Sequence, residues 1–104
     1  MSTSYIYAAS GRDSLEFYLE HNRRRYYLFS TRFDYWLFDC FKNGVQLRRI
    51  FSGSRNPLMN HIKDRVIKSV KYVESEYRLN VLSQNISNRR KRKSAYYPDG
   101  EYVA

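Results

Sequence analysis

Apolar positions along the chain come in short runs separated by polar or glycine-bearing breaks, and the spacing inside each run predicts an element. Tyr5-Ile6-Tyr7-Ala8 is short and β-prone, predicting a strand that ends at Ser10-Gly11-Arg12. Asp13-Ser14-Leu15-Glu16 then reads as a capping box, and Leu15, Tyr18 and Leu19 share one helical face, which predicts a short helix ending near Asn22. Tyr26-Tyr27-Leu28-Phe29 predicts a second strand. Strand, helix and strand within about 30 residues would form a small crossover unit with parallel pairing.

The segment FDYWLFDCFKNGVQLRRIF admits two readings. Asn43-Gly44 between apolar runs is a strong hairpin signal. Against it, Thr31 with Asp34 makes a cap-like pair, Phe33, Trp36, Leu37, Cys40 and Phe41 share a helical face, and Gly44 suits the position just past a helix end. The helix is preferred, with Tyr35 and Phe38 on its wet side as a candidate protein interface, and a further helical turn through Leu47, Ile50 and Phe51. From Asn56 and Pro57 onwards some 22 residues run without a breaker. There Met59, Ile62, Val66, Val70, Val73 and Tyr77 repeat at three and four, predicting a long amphipathic helix near 57–78. Its stripe is short for a coiled coil, so it suits a core, with a homodimer as the alternative. Leu79, Val81 and Leu82 could return as a third strand.

Together these elements predict an α+β domain (or a small α/β one) of two or three short strands with three or four helices. Residues 1–83 form its single globular domain. Beyond Gln84 the composition turns polar and basic, so residues 84–104 are expected to be a tail that is disordered unless a partner holds it.

Charge adds a partner class. The formal net charge is +9, and five of those nine charges sit in Arg89, Arg90, Lys91, Arg92 and Lys93, leaving four on the body. Arg23, Arg24, Arg25, Arg32, Arg48, Arg49 and Arg55 supply further cations, interleaved with Tyr26, Tyr27, Tyr35, Tyr72, Tyr96 and Tyr97. Cations for phosphates and flat rings for unstacked bases are what a nucleic-acid binder needs, and eleven tyrosines in 104 residues exceed the needs of a core. RYYLFSTRF nevertheless lacks the glycine and spaced aromatics of an RNA-recognition-motif strand. A helix-turn-helix over 33–52 would have too short a second helix.

Catalytic chemistry finds little support. His21, His61 and Cys40 are better explained as structural or solvated groups than as catalytic ones, and one cysteine with two distant histidines gives no zinc spacing. A small nuclease using either histidine as base is the enzymatic alternative. AASGRDS places one glycine before a predicted helix, without the spacing of a nucleotide-binding loop. No cofactor and no small-molecule substrate are therefore expected. The lone cysteine and the absence of a membrane-spanning apolar run point to a cytoplasmic protein with no membrane partner.

The pieces RYYLFSTRF, FKNGVQL and IKSVKYVESEY resemble small accessory proteins of phages and mobile elements, a population that includes anti-CRISPR inhibitors. That population has no shared motif, so the resemblance carries over no functional residue. It implies an inhibitor acting by occlusion, on a ribonucleoprotein or on its guide RNA before assembly. Acidic DNA mimicry does not suit a +9 chain. The combined expectation is a non-enzymatic basic protein that engages RNA, DNA or a nucleoprotein complex, with a homo-oligomeric interaction module or a DNA-binding regulator as alternatives.

Overall fold

In the computed structural model, residues 4–51 and 55–84 are described. Three consecutive antiparallel strands, β1 (Ser4–Ser10), β2 (Ser14–His21) and β3 (Arg24–Arg32), form a meander, and the two-residue β4 (Val45–Gln46) pairs antiparallel with β1. The sheet order is β3-β2-β1-β4. Helices α1 (Tyr35–Phe41), α2 (Leu47–Phe51) and α3 (Pro57–Tyr77) follow, with a last helical turn over 81–84. The mixed α+β class holds, but the described residues contain four strands, not two or three, and among them no parallel pairing.

The main correction is residues 13–22, expected as a helix and found as β2. SLEFYLEH alternates without a break, and Leu15, Phe17, Leu19 and His21 are all buried while the residues between them are not. Burying one side of a strand against a sheet-wide core outweighs the local preference of Leu and Glu for helix, because each inward residue gains area on every second position. The expected parallel crossover disappears with the helix. In its place are two hairpins. The first closes through Gly11, whose N–H donates to the Ser14 carbonyl at 2.7 Å. The second is a two-residue loop, Asn22-Arg23, with φ of 52° and 64°. Two left-handed residues in succession match the twist of the flanking strands.

Within β3, Phe17 opposes Phe29 and Tyr18 opposes Tyr27, so Leu28 is an extra residue and the strand carries a bulge. The bulge shifts the parity of β3, which lets both Tyr26 and Phe29 face inward.

The preferred helix over the FDYWLFDCF segment is present as α1. Asp34 is its N-cap and accepts from the Trp36 and Leu37 amides at 2.9 and 3.2 Å. Gly44 follows its end at φ 82°, donating to the Phe41 carbonyl at 2.9 Å, and a Cβ there would lie 3.1 Å from the Tyr5 ring. The Asn43-Gly44 signal thus belongs to a helix exit rather than a hairpin. α3 begins where Asn56 and Pro57 predicted, with the Asn56 side chain accepting from Leu58 and Met59 amides. Ile62, Val66, Val70 and Val73 form its buried stripe. Arg78 ends it at φ 55°, and Glu74 accepts from the Leu82 amide at 2.8 Å, folding the chain into the helical turn. That turn replaces the expected strand at Leu79–Leu82, and buries Val81 and Leu82.

All the helices contribute to one core against one side of the sheet. Phe17 lies at its centre, 4.7 Å from the Phe29 ring and 5.1 Å, edge-on, from Phe41. Arg65 of α3 closes the margin, its guanidinium 4.3 Å from the Phe29 ring centre and donating to the Ser30 carbonyl.

Candidate functional site

Strand alternation that buries Ile6, Ala8, Leu15, Phe17 and Leu19 turns Tyr5, Tyr7, Glu16, Tyr18 and Glu20 to the side without helices. The shifted parity of β3 adds Arg25 and Tyr27 to them. Cross-strand register arranges these residues in rows. Tyr7 opposes Tyr18, which opposes Tyr27; in the next row Gln46, Tyr5, Glu20 and Arg25 follow one another across four strands.

The first row is a run of rings. Tyr7 and Tyr18 stack with centroids 5.4 Å apart and planes inclined by 19°, and Tyr27 meets Tyr18 edge-on at 5.8 Å. Tyr5 joins them at 5.8 Å from Tyr7. Tyr27 is 52% exposed, and its hydroxyl lies 2.8 Å from the Ser30 hydroxyl. These are good geometries for aromatic pairs, built on strands and so held rigidly.

Two carboxylates fix the ring positions. Tyr18 donates its phenol hydrogen to Glu16 Oε2 at 2.6 Å, and Tyr5 donates to Glu20 Oε2. Accepting from the neutral phenol, each carboxylate holds its tyrosine above the ordinary value near 10, with partial desolvation and the carboxylate charge acting the same way. Arg25 crosses the face with its guanidinium 5.1 Å from the Tyr18 ring centre. A hydrogen bond with Tyr7 is the main reason its pKa is raised further, so it stays charged.

The arginines expected from sequence are partly brought together here. Arg23 lies in the β2–β3 turn, Arg24 starts β3, and Arg25 stands on the open face. Across the sheet, Arg48 and Arg49 of α2 line a shallow cleft of about 420 Å³ with Tyr5, Asn43, Gly44 and Gln46. Cations therefore stand at both ends of the row that contains Tyr5 and Glu20. Arg32 is at the far end of β3 beside Ser14, and Arg55 precedes α3, both exposed and apart from this row. Arg89, Arg90, Lys91, Arg92, Lys93, Tyr96 and Tyr97 lie outside the described residues.

Several expectations about side chains change. Tyr26 is buried in the core, against Tyr77 at 4.9 Å, and is no part of a binding face. Tyr35 is 78% exposed as expected, but Phe38 packs on the core edge beside Phe33. Trp36, placed inward by helical spacing, is 44% exposed, and Cys40, expected buried, is exposed. α1 is only seven residues long and presents Leu37 and Phe41 to the core, a narrower contact than its composition suggested. His21 ends a strand rather than a helix; it is buried with Nδ1 2.6 Å from the Ser4 hydroxyl and Nε2 near Asn22. His61 is exposed on α3.

The residues missed in the sequence are Tyr5, Tyr7 and Tyr18, together with Glu16 and Glu20. Their signal was the period of two in SYIYAAS and SLEFYLEH. Among the described residues no group of three or more His, Cys, Asp or Glu could hold a metal ion, and no helix is long and apolar enough to cross a membrane. No protein-family model matches the chain, and neither curated proteins nor solved structures match it.

Proposed function

We propose that this protein is a non-catalytic nucleic-acid-binding domain that takes single-stranded RNA or DNA on its open sheet face. The observation that carries the reading is the unbroken set Tyr5, Tyr7, Tyr18 and Tyr27 on a solvent-facing sheet with arginines at both margins. The open side of an antiparallel sheet is ordinarily polar. Here it presents aromatic rings, which have the shape and amphipathic character to stack on unpaired bases irrespective of their identity. Arg23 in the β2–β3 turn at one side and Arg48 and Arg49 at the other stand where phosphates would lead onto and off the rings, with Arg25 on the face itself. A double helix hides its base faces, so the platform favours single strands. Such binding would act by covering a strand, the occlusion that the resemblance to phage accessory proteins implies.

Fluorescence anisotropy with labelled single-stranded and duplex oligonucleotides across a salt series tests this. Tyr18→Ala or Tyr7→Ala should weaken single-strand binding by about 5- to 150-fold, the value of one stacked base. Arg48→Ser should lower the slope of log affinity against log salt by about one. Duplex bound as tightly as single strand, or tyrosine variants binding like the parent, would sink the proposal. Capture of a protein partner on the same face in nuclease-treated extract, with no oligonucleotide binding, would replace it.

A further inference from the structure

A platform built only to stack bases has no use for negative charge, yet two carboxylates stand among the rings. Glu20 is the one in the row with Arg25, directly opposite on the neighbouring strand. Opposite charges so placed ordinarily pair. Among the described residues they do not close into an ion pair; Arg25 is drawn instead over the Tyr18 ring and onto Tyr7. Glu20 is held from the other side, where the Tyr5 phenol donates to its Oε2. Each side chain is thus fixed by aromatic neighbours, with hydrogen-bonding capacity left over. An ionised carboxylate offers about four lone-pair sites, and a guanidinium five N–H donors in a fixed fork.

Guanine complements that residual capacity better than the other bases. Its Watson–Crick edge places two N–H donors, N1–H and the 2-amino group, side by side, which suits the two oxygens of one carboxylate. Its O6 and N7 accept from an arginine fork. Adenine and cytosine set one donor beside an acceptor, and uracil sets one donor between two carbonyls, so each would bring an acceptor lone pair against Glu20. Glu20 also repels phosphate from the middle of the row, which keeps the backbone at the arginine margins and turns bases inward.

We propose that the open face selects guanine in a single strand, Glu20 accepting from N1–H and the 2-amino group and Arg25 donating to O6 or N7. Glu16, tied to Tyr18 in the same manner, lies on the far side of the tyrosine row, opposite Ala9 and Ser30, and supplies a second carboxylate to another base along the strand. The inference rests on the strand-binding function and deepens it by assigning base specificity.

The test measures affinity for uridine pentanucleotides whose central base is guanine, adenine, cytosine, uracil or hypoxanthine, with deoxy counterparts. The guanine oligonucleotide should bind about tenfold or more tightly than the others, as one bidentate base contact provides. Hypoxanthine, which lacks the 2-amino group, should lose most of that margin. Glu20→Gln should remove the preference, read as the ratio of guanine to uracil affinity within the variant itself, so that any change in overall strand binding cancels. Circular dichroism and thermal melting check that the variant folds. Guanine preference in either sugar series supports the inference. Equal affinity for all central bases overturns it and leaves strand binding standing, and so does a guanine preference that survives Glu20→Gln. No binding to any oligonucleotide at low salt overturns both.

Discussion

Residues 17 and 18 are neighbours on β2 and point to opposite faces, so replacing each in turn by alanine separates core from site. Phe17 is fully buried, stacked on Phe29 and edge-on to Phe41. Removing its ring should cost roughly 3–5 kcal/mol, transfer loss plus the cavity left behind. For a domain whose whole stability is about 5–15 kcal/mol, that is a third or more of the total, and a fall in Tm on the order of 20 °C. Tyr18 is half-buried and loses its contacts with Tyr7 and Tyr27, for a cost of about 1–2 kcal/mol. The assay is urea unfolding followed by circular dichroism, alongside oligonucleotide binding on the folded variants. Phe17→Leu, at about 1.5 kcal/mol or less, supplies a folded core variant should the alanine form fail to fold. The expected pattern is that Phe17→Leu lowers stability and spares affinity, while Tyr18→Ala loses affinity out of proportion to stability. Equal stability losses for Phe17→Ala and Tyr18→Ala would refute the assignment of the two faces, because a one-residue change of register exchanges them.

Two further outcomes follow from local geometry. Arg23→Gly should raise stability by about 0.5–1 kcal/mol, because Arg23 sits at φ 64° where glycine carries no steric penalty; an unchanged or lower urea midpoint would contradict the turn. Tyr5 and Tyr18 should ionise above 10 in a tyrosinate absorbance titration, and Glu20→Gln and Glu16→Gln respectively should bring them down. Since the folded state holds these protons more tightly than the unfolded one, their contribution to stability is whole below about pH 10 and is lost as pH rises through the folded values. A flat stability profile across that range, with all tyrosines titrating together, would contradict the Tyr–Glu bonds.

Elements with local punctuation were legible in the sequence. Asn56-Pro57 with its stripe gave α3, Asp34 and Gly44 bracketed α1, and Leu47, Ile50 and Phe51 marked α2. β2 was misread because two periodicities coexist in it: Leu15, Tyr18 and Leu19 fit a helix, while Leu15, Phe17, Leu19 and His21 fit a strand. Only a partner surface decides between them, and that surface comes from pairing with β1 and β3 and from the helices far along the chain that cover the buried side. The Asn22-Arg23 turn also carries no glycine, so the hairpin that would have settled the matter was unmarked. The site went unseen for the same reason. Tyr5, Tyr7, Tyr18 and Tyr27 become one surface only through cross-strand register and a bulge at Leu28, whereas the arginine clusters are contiguous and could be read directly.

The bulge has a second effect, on how copies of the chain meet. β3 is an edge strand of nine residues, with YYLF at its middle and a row of backbone groups open to a further strand. Such an edge invites pairing between copies and growth of fibrils. The bulge at Leu28 interrupts the register that a docking strand would need, and Arg24, Arg25 and Arg32 place like charges along it. Charge along this edge therefore works against pairing between copies. Replacing all three with apolar residues would leave the sticky centre of the strand guarded by its bulge alone.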